Sequence, residues 1–170
     1  IDITTSVTGT FTTEGWSVYK YTNMRSDGQP GSNTTFPDTD FPMFRLADIY
    51  LMYAEAVARG GEGGSIATAV QYINALRQRA YGDTFHGINE AWLRENNFRN
   101  ILDERQRELY WEGTRRTDLI RYGLFISGNY LWTFKGGVLG GVGVNGRYNV
   151  FPIPTTDLSV NGNLKQNEGY

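Results

Sequence analysis

FRLADIYLMYAEAVAR, residues 44–59, decides the fold class of this chain. Its polar residues are Arg45, Asp48, Glu55 and Arg59, which share one narrow stripe at 3.6 residues per turn. Nearly everything else is apolar, and a helix apolar over most of its circumference is packed on several sides. The run GGEGG at 60–64 ends this helix, and Ser65 is placed to cap a second one reaching about Ala80. Ile66, Ala69, Val70, Ile73, Leu76 and Ala80 recur along the second helix at the spacing of a single face. Two helices with so short a connection predict an αα-hairpin. Ala54, Ala58 and Ala69 suit close helix contact of the tetratricopeptide kind. A solenoid unit cannot bury its face alone, and roughly three are usually needed. The chain holds at most two pairs, so we expect further helices to cover residues 44–59, from an N-terminal part of the same polypeptide or from another chain.

Upstream, residues 1–15 are threonine-rich and read as extended, and Trp16 to Tyr21 alternates like a short strand. Residues 22–42 carry Asp27-Gly28, Pro30-Gly31, Pro37 and Pro42, the punctuation of a long loop. Downstream, a helical stretch begins near Asn89 and continues as a long helix over 98–112, with Phe98, Ile101, Leu102 and Leu109 on its apolar stripe. Arg105 and Glu112 fall on that same stripe, so both are expected to be buried and paired. Residues 114–122 predict a short helix stopped by Gly123. Residues 124–150 are glycine-rich and aromatic. Asn145-Gly146, between Val142/Val144 and Tyr148/Val150, predicts a type I′ hairpin. FPIP at 151–154 is extended, and Thr155 or Thr156 is expected to cap a last turn through Leu158. The expected architecture is mainly α: tetratricopeptide-like helix pairs, long loops over 1–43 and 124–150, and one short β-hairpin.

Composition narrows the chemistry. The 170 residues hold 16 basic and 18 acidic side chains, for a net charge of −2. That balance gives no basic footprint for nucleic acid. With one histidine, His86, and no cysteine, Cys/His zinc sites, iron–sulfur clusters, disulfides and cysteine nucleophiles are excluded within the chain. No apolar run is long enough to span a membrane. The chain starts at Ile1 with no leader pattern after it, and we expect a piece of a longer or processed polypeptide.

Glu104, Glu108 and Glu112 lie at helical i, i+4, i+8 spacing, which could place two carboxyl groups as a glycosidase needs them. Arg105, Arg107, Arg115 and Arg116 are interleaved with them. Carboxylates beside arginines stay ionised, whereas a general acid needs a raised pKa. The expectation is an ion-pair network of Arg105, Glu108, Glu112, Arg115, Asp118 and Arg121 that docks helices. Gly60 to Gly64 lacks the ending of a P-loop and follows no strand. Asp38 and Asp40 lack the rest of a calcium loop, and Asn33-Thr34-Thr35 is a glycosylation sequon by pattern only. The loop aromatics are more informative. Trp16, Tyr19, Tyr130, Trp132 and Phe134 lie outside the helices beside polar residues and glycine. A flat ring covers the apolar face of a sugar while nearby amides take its hydroxyls, so Trp16, Tyr19, Tyr130 and Trp132 are the candidate ligand contacts. Trp92 and Trp111, in helical stretches, are expected in the core.

FPMFRLADIYLMYAEA at 41–56, YINALRQRA at 72–80, LDERQRELYWEGTRRTDLIRYG at 102–123, FPIP at 151–154 and the terminal LKQNEGY together resemble, in order, the C-terminal part of the SusD/RagB family of nutrient-binding outer-membrane lipoproteins of Bacteroidota. The resemblance implies tetratricopeptide-like helix pairs and a non-catalytic, cell-surface protein that binds glycans or peptides. It implies a lipid anchor on an N-terminal cysteine outside this chain, no cofactor, and a SusC-like, TonB-dependent barrel as partner. It also implies an N-terminal portion that supplies most of the helix pairs. Two other readings stay open from the residues alone: a carbohydrate hydrolase using the helix glutamates, and a helical scaffold that binds only protein.

Overall fold

The structure, a computed structural model, describes residue 18 and residues 20–25 and 27–170. It divides into two compact units, residues 19–115, and residues 116–170 together with Val18. Of the expected strand at 16–21, Trp16, Ser17 and Tyr19 lie outside the described residues, while Lys20 and Tyr21 form a turn instead, with Tyr21 at a left-handed φ of 63°.

In the first unit, α1 (Leu46–Ala58) and α2 (Ile66–Tyr81) form the expected hairpin. Ser65 caps α2, its hydroxyl accepting from the Thr68 amide at 3.1 Å. Gly82 closes it with a left-handed φ of 77°, a conformation that costs other residues their Cβ clearance. Three tyrosines clasp the pair. Tyr50 stacks on Tyr72 at 4.0 Å between ring centres, and the Tyr53 hydroxyl accepts from the Ser65 amide at 2.9 Å. Leu51, Ala54 and Ala58 of α1 and Ala69, Ile73 and Leu76 of α2 belong to one buried cluster. Leu93 of α3 (Glu90–Arg94) and Ile101 of α4 (Arg99–Glu108) complete it. Each fully buried Leu or Ile contributes about 1.5–3 kcal/mol. Asn74 fixes the approach to α3, accepting from the Ile88 amide at 2.6 Å and donating to the Ile88 carbonyl at 3.1 Å.

Two expectations for this unit are corrected. The helix expected over 98–112 is shorter, because Asn96, Asn97 and Phe98 are left-handed before it and Glu108 is its last residue. Trp111, expected in the core, adopts a φ of 63° in the following turn and is 62 % exposed. One face of α1 and the segment before it also remain uncovered: Met43, Phe44, Leu46, Ile49 and Met52 are exposed.

The second unit is mostly loop. It holds α5 (Arg115–Arg121), α6 (Thr155–Val160) and two 3-10 turns, Lys135–Gly137 and Gly146–Asn149. The expected β-hairpin at 142–150 is absent, and no strand occurs among the described residues. The Asn145 side chain accepts from the Arg147 amide at 2.9 Å, and this local bond competes with a ladder and winds 146–149 into a turn. The Val144 amide goes instead to the Ile126 carbonyl. The cap expected from a threonine of 155–156 is not made either: Pro154 precedes the first residue of α6, and the helix runs on to Val160. FPIP stays extended because the tail completes its hydrogen bonds. Gln166 accepts from the Ile153 amide at 2.8 Å and donates to its carbonyl at 2.9 Å, and Asn167 donates to the Phe151 carbonyl at 2.7 Å.

Candidate functional site

Lys135 organises the long loop of the second unit. It is 2 % exposed, and its ammonium donates to the carbonyls of Ser127 and Tyr130 at 2.6 Å each and of Leu124 at 3.2 Å. An ammonium has three donors, so all three are used. Burial pushes Lys135 below the ordinary lysine range. The same nitrogen lies 4.6 Å from the centre of the Trp132 ring, a cation–π distance. Beneath Trp132 the chain packs so closely that a Cβ on Gly141 would sit 2.5 Å from the Trp132 carbonyl oxygen. The loop therefore holds Trp132 out on a rigid footing, 40 % exposed.

Trp132 forms part of an open cleft of about 550 Å³. Phe125, Tyr148, Phe151 and Tyr170 add further aromatic walls, and Arg116 and Asn145 bring polar groups. The Tyr170 hydroxyl reaches the Val150 carbonyl at 3.0 Å, fixing that ring to the extended segment. Arg116 lies 4.1 Å from the centre of the Phe151 ring and donates to the Tyr148 carbonyl at 2.6 Å. Tyr130 meets Trp132 edge-on at 6.2 Å between ring centres. Of the four aromatics singled out in the sequence, then, Trp132 lines the cleft, Tyr130 buttresses it, and Trp16 and Tyr19 lie outside the described residues. Sequence reasoning missed Lys135 and Arg116. Lys135 could have been found as the one charged residue within the glycine-rich, aromatic run 122–146.

The helix carboxylates sit in the other unit and are committed to cations. Arg45 is their hub, with Nε and Nη2 donating to the two oxygens of Glu112 at 2.7 Å each and Nη1 to Glu108 at 2.5 Å. Arg79 adds a bond to Glu108 at 2.5 Å, and Lys20 pairs with Glu112. Burial would raise both glutamates, but the bonds and charges of Arg79 and Arg45 hold Glu108 below the ordinary carboxylate range. Arg45 and Lys20 do the same for Glu112. Glu104 accepts from Arg77 at 2.7 Å and from Arg107 at 2.5 Å. Arg105 is buried and paired, with Asp48 at 2.7 Å. Arg115 lies 3.9 Å from Asp103 and donates to the Leu102 carbonyl at 3.2 Å, while Arg121 pairs with Asp118 at 2.9 Å. Glu108 and Glu112, held ionised in this way, supply no general acid. Asp38 accepts two bonds from Ser32, and no group of three or more potential metal ligands occurs among the described residues. His86 stacks on Tyr81 at 4.0 Å and bonds Asp83 at 2.9 Å. Among the described residues no helix is long and apolar enough to cross a membrane.

Comparison with known proteins bears on these features. The chain is 46 % identical over 158 residues to the starch-binding protein SusD of Bacteroides thetaiotaomicron, covering 93 % of this chain and 26 % of that protein. It is 36 % identical over 142 residues to the SusD-like protein P25 of Formosa agariphila, covering 75 % of this chain and 24 % of the relative. The SusD-like protein P2 of the same organism is 32 % identical over 158 residues, which is 86 % of this chain and 29 % of that relative. The chain thus spans about a quarter of the length of the curated relatives it matches. A family model, that of the SusD family, matches residues 3–170, so this chain belongs to the SusD family.

Proposed function

We propose that this chain is part of a non-catalytic protein that captures oligosaccharides at the outer face of the outer membrane and passes them to a SusC-like, TonB-dependent barrel. The observation that carries the reading is the aromatic cleft around Trp132, in which flat rings stand beside the Asn145 amide and the Arg116 guanidinium. Such walls match the apolar faces and hydroxyl edges of a sugar. Kinship with a protein named for starch binding supports a glycan ligand. The commitment of Glu104, Glu108 and Glu112 to arginines supports binding without hydrolysis. The exposed face of α1 is where we place the N-terminal portion of the same polypeptide, with its further helix pairs and its lipid anchor.

The test is calorimetric titration of the full-length protein with starch fragments and other soluble oligosaccharides, with the sugars checked for cleavage afterwards. Saturable binding without product is expected. Trp132→Ala should weaken it about two- to tenfold, the loss of one stacking contact worth about 0.5–1.5 kcal/mol. Cleavage of the sugar, or unchanged affinity in Trp132→Ala, contradicts the proposal or its site respectively.

A further inference from the structure

Arg116 differs from most arginines in this chain. Arg45, Arg77, Arg79, Arg105, Arg107 and Arg121 each reach a carboxylate. Arg116 is half-buried in the cleft wall, and its contacts are a backbone carbonyl and two rings, Phe151 at 4.1 Å and Phe125 at 5.2 Å. A guanidinium carries five N–H donors, and one of these bonds to protein among the described residues. Among the described residues no aspartate or glutamate lines the cleft. The other charged lining residue is Lys135, whose donors are spent on carbonyls but whose charge remains behind Trp132. Arg147 adjoins the wall, stacked on Tyr148 and Tyr170 at 5.0 and 5.4 Å, with its guanidinium on the Gly169 carbonyl at 2.7 Å and no aspartate or glutamate paired with it among the described residues.

Aromatic walls thus stand beside two cationic side chains, with no aspartate or glutamate side chain among the described lining residues. A partly desolvated cation without a counter-charge is costly, and an incoming anion relieves that cost. The planar fork of arginine suits the paired oxygens of a carboxylate or sulfate. We propose that the cleft takes a sugar residue bearing an oxyanion, with Arg116 as the group that reads its charge. The inference rests on the glycan-capture reading and names its substrate class. Rings from Trp132 and Phe151 take the apolar sugar face, Arg116 takes the anionic substituent, and Arg147 adds field from the rim.

Full-length protein titrated with galacturonate oligosaccharides, their carboxyl-reduced neutral counterparts and a sulfated oligosaccharide of similar length tests this. The charged oligomer should bind about tenfold tighter than its neutral counterpart, the scale of one charge-assisted contact. The order of the carboxylate and sulfate arms identifies the oxyanion. Arg116→Gln should bring the charged-to-neutral ratio to within about threefold of unity, and Arg116→Lys, which keeps charge but loses the fork, should fall between. Should Arg116→Gln fail to fold, the wild-type protein still decides: the ratio must shrink as salt rises from about 0.02 to 0.5 M, because screening weakens the charge contact. Equal affinity for charged and neutral oligomers overturns the inference while leaving glycan capture intact, as does a ratio unmoved in a folded Arg116→Gln protein. Failure of every sugar to bind overturns both.

Discussion

Replacing Arg45 with methionine keeps an unbranched apolar stem and removes the guanidinium that is the hub of the carboxylate cluster. The Glu112 and Glu108 side chains are 5 % and 10 % exposed, so neither can turn fully to water when the guanidinium leaves. Removing one partner of a buried pair costs about 3–5 kcal/mol. Each glutamate keeps a second cation, Lys20 for Glu112 and Arg79 for Glu108, which places the expected loss near about 3 kcal/mol. Urea unfolding of the full-length protein at neutral pH measures it. A double-mutant cycle with Glu112→Gln should show a coupling above about 1 kcal/mol, as for other residues in one ion-pair network. The pH dependence supplies the sign. Both glutamates titrate below their unfolded value of about 4.3, so their contribution is complete above that pH and is lost as pH falls through the lower folded values. The gap between wild type and Arg45→Met should therefore narrow below about pH 4.3. A gap under about 1 kcal/mol at neutral pH, or one unchanged at about pH 3, refutes the reasoning.

Lys135→Met should destabilise the loop by about 3 kcal/mol, because three partly buried carbonyls lose their shared donor, and faster amide exchange confined to residues 124–144 would show it. Arg105→Ala should cost about 3–5 kcal/mol by stranding Asp48, with oligosaccharide affinity unchanged in whatever protein remains folded. Lost affinity at unchanged melting temperature would contradict that structural role. Ile49→Asp is expected to destabilise the full-length protein by about 2 kcal/mol or more if the N-terminal portion covers α1, through burial of an unpaired charge. A change under about 0.5 kcal/mol, as at an ordinary surface position, would leave that face open in the whole protein.

The helix pair was legible because its signal is local. Leu51, Ala54 and Ala58 face one way at helical spacing, as do Ala69, Ile73 and Leu76, and Ser65 stands where a cap belongs. The pairing of carboxylates with arginines was legible as a tendency, since ionised neighbours of opposite sign attract. Which arginine serves which glutamate was not, because Arg45 comes from 63 residues before Glu108. The loop over 124–150 was legible only as a loop. Its order rests on one ammonium answering three carbonyls, an arrangement without periodicity. Asn145-Gly146 misled because the asparagine side chain satisfies the Arg147 amide locally, where a hairpin would have satisfied the backbone across the turn. Trp132 could be named from composition, but Arg116 could not be told from its neighbour Arg115 until the rings of Phe125 and Phe151 came to lie beside it.

The capped ammonium of Lys135 also makes this loop report on its own integrity. The chain has three lysines, Lys20, Lys135 and Lys165. An acylating reagent needs a free amine lone pair and room to approach, and Lys135 offers neither while its three carbonyls enclose it. Lys165 stands in solvent and Lys20 is tied to Glu112. Brief treatment with an acylating reagent should therefore mark Lys165 first and leave Lys135 blank. Any label that does accumulate at Lys135 counts openings of the loop that carries Trp132, with Lys165 as the internal standard.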